Sequence, residues 1–258
     1  MSTTNHNALP EEIAALLADD QKEGLSVLLS HLLASFRTIG TTLRAGGFSS
    51  STIGTQNQFG DEQLDVDVKT DSIIFTSLRA AGNVHVAASE ENPVEIKCGY
   101  SGGSNSEGYS VAFDPLDGSS IVDCNFAVGT IVGVWPGAGL LNRSGSEQCA
   151  ALMAQYGPKV TVALALNSNS TLDSKQIALE LTMLPESWKV SVPSIRIKAT
   201  AKTFAPGICA VYVHSLTLSL SHVRALSLSI CLCVCVHIPF LWNYSWIKPY
   251  NISKCSCS

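Results

Sequence analysis

Residues 109–137 read YSVAFDPLDGSSIVDCNFAVGTIVGVWPG. Tyr109–Asp114 is short and rich in β-branched and aromatic residues, and predicts a strand. Phe126–Trp135 predicts a second, largely buried strand, stopped by Pro136-Gly137. Between them, Asp114-Pro115-Leu116-Asp117-Gly118-Ser119-Ser120 holds two carboxylates three residues apart. Pro115 fixes one φ and Gly118 permits a bend, so both carboxylates leave the strand end on a tight turn and can point to one spot. A plain Asx turn needs only some of these residues; a site for a divalent cation and a phosphate uses them all.

Upstream, Asn83–Ser89 predicts a short strand that ends at Glu90-Glu91. Before it, Gln63–Ala81 predicts a helix with Leu64, Val68, Ile74 and Leu78 facing inward. Residues 11–45 repeat apolar side chains at helical spacing (Ile13, Leu16, Leu17, then Leu25, Leu28, Leu29, Leu32, Leu33, Phe36, Ile39, Leu43). Gly24 is expected to separate two helices there, and Gly46-Gly47 to end the second. The Gly/Ser/Thr-rich segment that follows, to Gly60, reads as a loop. Downstream, Ser144 is expected to cap a helix through Tyr156, ended by Gly157-Pro158. Lys159–Asn167 and Trp188–Ile197 complete a sheet-rich middle. The class is mixed α and β, with helices packed on sheets.

The chain has 258 residues and a net charge of −5. That is long enough for one large or two small domains, and too acidic for a nucleic-acid binder, which needs a basic face. An acidic protein that handles phosphate esters must recruit metal cations. Met1–His6 carries neither an Arg-rich amphipathic run nor an apolar signal core, so a cytoplasmic protein is expected. The nine cysteines are odd in number and, without a secretory signal, do not suggest a disulfide framework. Cys231, Cys233 and Cys235 alternate rather than pair as C-x-x-C, which zinc sites favour.

After about Gly207 the character changes to a repetitive Ser/Leu/Val/Cys run. Residues 226–242 are largely apolar, but Ser227, Ser229, His237 and Pro239 interrupt them and the stretch is short for a membrane span. The alternative, favoured here, is translated non-coding sequence such as an unspliced intron. The chain thus divides into a metal- and phosphate-binding domain over 1–207 and an anomalous tail over 208–258, with no membrane partner expected.

Hard oxygen ligands such as Asp114, Asp117 and the Leu116 carbonyl suit Mg²⁺, with Mn²⁺ as an alternative. Glu90, at a strand end, is placed to join them. Gly118, Ser119 and Ser120 can offer N–H groups and hydroxyls to a phosphate. Asp67, Asp71 and Glu91 are candidates to orient or deprotonate the attacking water. Each has a blander reading: an ordinary turn, a solvated strand end, the wet first turn of a helix. Their joint order shifts the balance: Asp, then Glu-Glu, then Asp-x-x-Asp-Gly-Ser-Ser.

In that order, Asp67, Glu90-Glu91 and "DPLDGSS" resemble the fructose-bisphosphatase family, within the metal-dependent, lithium-sensitive sugar and inositol phosphatases. The segments 59–71, 121–137 and 155–166 look closer to its sedoheptulose-1,7-bisphosphate branch than to its fructose-1,6-bisphosphate branch. The resemblance spans about 20–207. It implies an α+β, layered αβαβα fold of two sheet domains, assembled as a homo-oligomer, dimer or tetramer, with a sugar bisphosphate as substrate. It implies Asp67, Glu90, Asp114, the Leu116 carbonyl and Asp117 as metal ligands, and Asp117, Gly118, Ser119 and Ser120 as the group holding the scissile phosphate. Asp71 matches a catalytic carboxylate less closely, since the register slips by a residue.

Two departures stand out. Residues 46–53 lack the regulatory cysteine pair that plastid members carry at that place. After "TFAPG" (203–207) the second domain, with a further metal-ligating glutamate and the basic clamp for the distal phosphate, has no counterpart. Between Cys98 and Lys159 the only basic residue is Arg143, too little to hold a bisphosphate without a basic partner surface.

Overall fold

The computed structural model describes residues 9–17, 22–48, 51–56, 62–101, 108–167 and 176–196. The elements run α1 (Glu11–Ala14), α2 (Lys22–Arg44), β1 (Thr52–Gln56), β2 (Glu62–Leu64), α3 (Asp65–Ala81), β3 (Val84–Ser89), β4 (Ile96–Lys97), β5 (Tyr109–Asp117), β6 (Val128–Pro136), β7 (Ala150–Tyr156), β8 (Val160–Asn167), β9 (Gln176–Met183) and β10 (Trp188–Val192). Strands β1 and β2 form a small antiparallel ribbon, and the other eight form one sheet in the order β10-β9-β8-β7-β6-β5-β3-β4. Within it only β3 and β5 pair in parallel. This is an α+β fold.

The leucine stripe of α2 makes the core. Leu25, Leu28, Leu29, Leu32, Leu33, Phe36 and Ile39 are buried in one cluster with Ile74 and Leu78 of α3 and alternate residues of the central strands, such as Leu152, Ala154 and Val162. The two periods, 3.6 on the helix and 2 on the strands, place all these side chains on one interface. Two glycines let α2 lie close to the sheet. A Cβ at Gly24 would sit 3.2 Å from the Tyr109 ring, and one at Gly40 would sit 2.9 Å from Val160. At its middle, Arg37 donates to the carbonyls of Leu184, Pro185 and Ser187 (2.8–3.0 Å) and lies over the Trp188 ring, tying α2 to the β9–β10 turn.

Several sequence expectations are corrected. Gly24 does not separate helices; it lies in the first turn of α2, where its small size admits Tyr109. The helix expected after Ser144 is a strand: Ala150–Tyr156 pairs with β6 and β8, and Ser144 caps only the 3-10 turn Gly145–Glu147 through a capping box. Its Ala, Leu, Met and Gln favour a helix locally, but two neighbouring strands outweigh that preference. The loop expected before Gly60 contains β1, and β9 was not anticipated. Val68 is exposed, while Val66, Asp67 and Asp71 face inward with Ile74. Among the described residues no helix is long and apolar enough to cross a membrane. The anomalous tail 208–258 and the "TFAPG" segment lie outside the described residues.

Candidate active site

Strands β3 and β5 run side by side in parallel, with Ser89 opposite Phe113. Their carboxyl ends therefore coincide, and the next residues are Glu90 and Asp114. In open sheets such coincident strand ends are where ligands gather. The Glu90 N–H donates to the Phe113 carbonyl at 3.2 Å, extending the ladder by one rung. Just beyond, β5 breaks register against β6 between Asp114 and Asp117. Pro115 sits in this irregularity, a place where a strand tolerates a residue without an N–H. Thr130 of β6 takes over: its hydroxyl donates to the Pro115 carbonyl at 2.8 Å. Gly118 then adopts φ 85° and turns the chain into a 3-10 helix, Ser119–Cys124.

Helix α3 brings the third segment. Its first turns carry Asp65, Asp67 and Asp71, and acidic groups at a helix N-terminus are favoured by the partial positive charge there. Asp65 turns outward and pairs with Lys69 at 2.7 Å. Asp67 and Asp71, four residues apart and so on one face, are buried at 8% and 7% exposure. Asp67 is hydrogen bonded to Ser119, across from the 3-10 turn. Asp71 accepts from the Asn92 amide at 2.8 Å and is bonded to Ser89, while its Oδ1 is buried without a hydrogen-bond partner.

The crowding is visible in proton affinity. Burial, then Glu90, then Asp117 push the Asp114 carboxyl up to about 8. Burial pushes Asp67 up to about 6, with Glu91 and Glu90 adding to it and the Ser119 hydrogen bond opposing it. Burial likewise raises Asp71, against the hydrogen bonds from Ser89 and Asn92. Like charges a few ångströms apart in a partly dry opening cannot all ionise cheaply.

Asp67, Asp71, Glu90, Glu91, Asp114, Asp117 and Ser119 thus meet at the ends of three segments. Glu90, Asp117 and Ser120 lie at the exposed rim, and Gly118 shapes the turn. The Leu116 side chain is buried, and its N–H donates to Asp114 Oδ1 at 3.1 Å. Sequence reasoning missed Ser89, Asn92 and Thr130, which hold the acidic residues in place. Ser89 and Asn92 flank Glu90-Glu91 and could have been read as a turn, but nothing in the sequence pointed Thr130 at Pro115.

The donor set is all hard oxygen, excess in negative charge, with one buried carboxylate oxygen unpaired. In chemistry it fits a hard divalent cation. Among the described residues, no three His, Cys, Asp or Glu side chains are gathered closely enough to hold a metal ion as they stand. The cluster is an acidic opening rather than a closed cage.

This is an α+β sheet with an acidic opening at the ends of two parallel strands, and comparison with known proteins says which family it belongs to. The profile of the fructose-1-6-bisphosphatase N-terminal domain matches residues 11–176, and the chain belongs to this family. It is 48% identical over 158 residues to a Spinacia oleracea protein named chloroplastic sedoheptulose-1,7-bisphosphatase, covering 60% of this chain and 38% of that one. It is 35% identical over 193 residues to a class 1 fructose-1,6-bisphosphatase of Syntrophotalea carbinolica, covering 74% and 56%. The crystal structure of Leishmania major fructose-1,6-bisphosphatase in holo form superposes with a TM-score of 0.60 at 26% identity, over 73% of this chain and 59% of that one. The chain therefore spans only 38% and 56% of the length of these two curated relatives.

Proposed function

We propose that this chain carries the acidic half of the active site of a sugar-bisphosphate phosphatase, acting on the 1-phosphate of sedoheptulose-1,7-bisphosphate to give sedoheptulose 7-phosphate. The relatives it matches bear sugar-bisphosphatase names. The higher identity to the sedoheptulose-named relative, 48% against 35%, favours the seven-carbon substrate over fructose-1,6-bisphosphate. The observation that carries the reading is the meeting of Asp67 and Asp114 around Glu90, where burial first and the Glu90 charge after it raise the proton affinity of both aspartates.

In this reading Asp67, Glu90, Asp114, the Leu116 carbonyl and Asp117 hold Mg²⁺ or Mn²⁺. The bound cation supplies positive charge to the phosphoryl oxygens and to the departing sugar oxygen. Asp117, Gly118, Ser119 and Ser120 present N–H and hydroxyl donors to the scissile phosphate. The deep carboxylates, Asp67 and Asp71, with Glu91 beside them, orient a water and accept its proton. The raised proton affinity of Asp67 and Asp71 suits these two to accepting a proton. In this reading the protein works in the cytoplasm as a homo-oligomer.

Release of inorganic phosphate from sedoheptulose-1,7-bisphosphate by purified 1–258 with Mg²⁺ tests this directly, with fructose-1,6-bisphosphate as the comparison. Measurable release that Asp114→Asn abolishes supports it. Release that survives Asp114→Asn removes the site assignment. A second reading is favoured by one specific observation: Arg143 is the only basic residue between Cys98 and Lys159, which leaves the acidic site without a basic group to hold a distal phosphate. In that reading these residues are catalytically silent by themselves, and binding of Mn²⁺ without turnover would be the signature.

A further inference from the structure

Asp114 is held by a chain of contacts that begins outside the acidic cluster. Thr130 lies fully buried on β6, and its Oγ1 is 2.8 Å from both the Pro115 carbonyl and the Tyr156 hydroxyl. A carbonyl can only accept, and a threonine hydroxyl has one proton. Thr130 therefore donates to Pro115, and Tyr156 must donate to Thr130. The direction of the relay is fixed: Tyr156 O–H to Thr130, Thr130 O–H to Pro115.

The Pro115 carbonyl belongs to the same planar unit as the Leu116 N–H, and the two point in opposite directions across a trans peptide. No cis peptide occurs among the described residues. Fixing the carbonyl inward therefore aims the Leu116 N–H outward, where it donates to Asp114 Oδ1 at 3.1 Å. That hydrogen bond engages one oxygen of Asp114; the carboxyl also shares a hydrogen bond with Glu90. Because Pro115 has no N–H and β5 is out of register here, the ordinary ladder cannot hold this peptide, and Thr130 supplies the missing restraint.

We propose that Tyr156 and Thr130 are positioning residues for the Asp114 carboxylate, acting through the Pro115–Leu116 peptide plane. The proposal rests on the reading of Asp114 as a metal ligand, and deepens it. Tyr156 also lines a cavity of about 350 Å³ with Gly40, Leu43, Arg44, Phe126 and Pro158. The relay therefore joins that cavity to the turn, with the Thr130 hydroxyl as the link between Tyr156 and Pro115.

Thr130→Val keeps the shape and removes the hydroxyl; Thr130→Ser keeps the hydroxyl; Tyr156→Phe removes only the far donor. Two quantities are measured on the full 258-residue chain: the Mn²⁺ dissociation constant by electron paramagnetic resonance, and amide hydrogen exchange at Leu116 in metal-free protein, with circular dichroism establishing that each variant is folded. Thr130→Val is expected to weaken Mn²⁺ binding by roughly 10–100-fold and to speed Leu116 exchange. Thr130→Ser should restore both and Tyr156→Phe should fall between. Folded Thr130→Val with unchanged Mn²⁺ affinity and unchanged exchange overturns the proposal, as does Thr130→Ser losing as much as Thr130→Val. A wild-type chain that binds no Mn²⁺ overturns the metal reading instead, and Leu116 exchange alone then decides the relay. If Thr130→Val does not fold, Tyr156→Phe decides it on the same two measurements, an unchanged value of both counting against the relay.

Discussion

The Glu90 N–H donates to the Phe113 carbonyl at 3.2 Å, so the residue after β3 is seated against the residue before Asp114. One backbone hydrogen bond thus brings together two carboxylates that lie 24 positions apart in the chain. The pairing of the strands sets these two residues side by side, and the Glu90 charge, after burial, raises the proton affinity of Asp114. A cation there would oppose that effect.

Removing the charge of Asp114 separates the stability of the site from its use. Asp114→Asn should abolish phosphate release, a loss exceeding the roughly 10–100-fold typical of an outer partner. The same change should leave the metal-free fold as stable as wild type or more so at pH 8. A phosphate assay and urea unfolding read the two effects on one sample, and a turnover close to wild type would refute the role given to Asp114.

The raised proton affinities set the sign of a pH dependence. Folded Asp67 and Asp114 titrate near about 6 and about 8, against an ordinary 3.8. Their favourable contribution is therefore complete below about pH 4 and is lost as pH rises through those values. Metal-free chain should lose stability between pH 5 and 8, by on the order of a few kcal/mol, and Asp114→Asn should flatten the upper part of the slope. Urea midpoints in the presence of a chelator measure it. Wild type and Asp114→Asn changing in parallel across that range would contradict it.

Arg37 is a test of the fold away from the site. It donates to three carbonyls of the β9–β10 turn and stacks over Trp188. Arg37→Met keeps most of the apolar stem and leaves those carbonyls to find other partners, costing about 1–3 kcal/mol. Urea unfolding should register the loss while Mn²⁺ affinity measured on the folded chain stays within about twofold.

The three cysteines among the described residues should divide by burial. Cys98 and Cys149 are buried, Cys124 is exposed, and burial pushes the Cys149 thiol up to about 12. Alkylation at pH 8, resolved by peptide mass spectrometry, should label Cys124 within minutes and leave Cys98 and Cys149 unlabelled until urea is added. Early labelling of Cys149 would mean that β7 is not packed as described.

What the sequence made legible follows from how local each signal is. The strand–turn–strand of 109–137 carries its own punctuation in Pro115, Gly118 and Pro136-Gly137, and it appears as β5, the 3-10 turn and β6. The α2 stripe is a 3.6-residue repeat that any sheet would bury. Ala150–Tyr156 is different. Its side chains are helix formers, and only hydrogen bonding to β6 and β8 makes it a strand. The acidic cluster was legible as a set of types in order, because strand ends and a helix start are local features. The partners that hold it, Ser89, Asn92 and Thr130, depend on which strands become neighbours, and that pairing has no local signature. Gly24 failed for the same reason: a glycine that admits Tyr109 looks like a glycine that breaks a helix.

The central claim is that carboxylates from α3, β3 and β5 converge to hold a divalent cation. An anomalous-difference map from a crystal of the 258-residue chain soaked in Mn²⁺ tests it most directly. The account predicts a peak within about 2.0–2.6 Å of oxygens from at least three of Asp67, Glu90, Asp114 and Asp117. A saturated crystal with no peak there, or with Mn²⁺ bound only elsewhere, would contradict it.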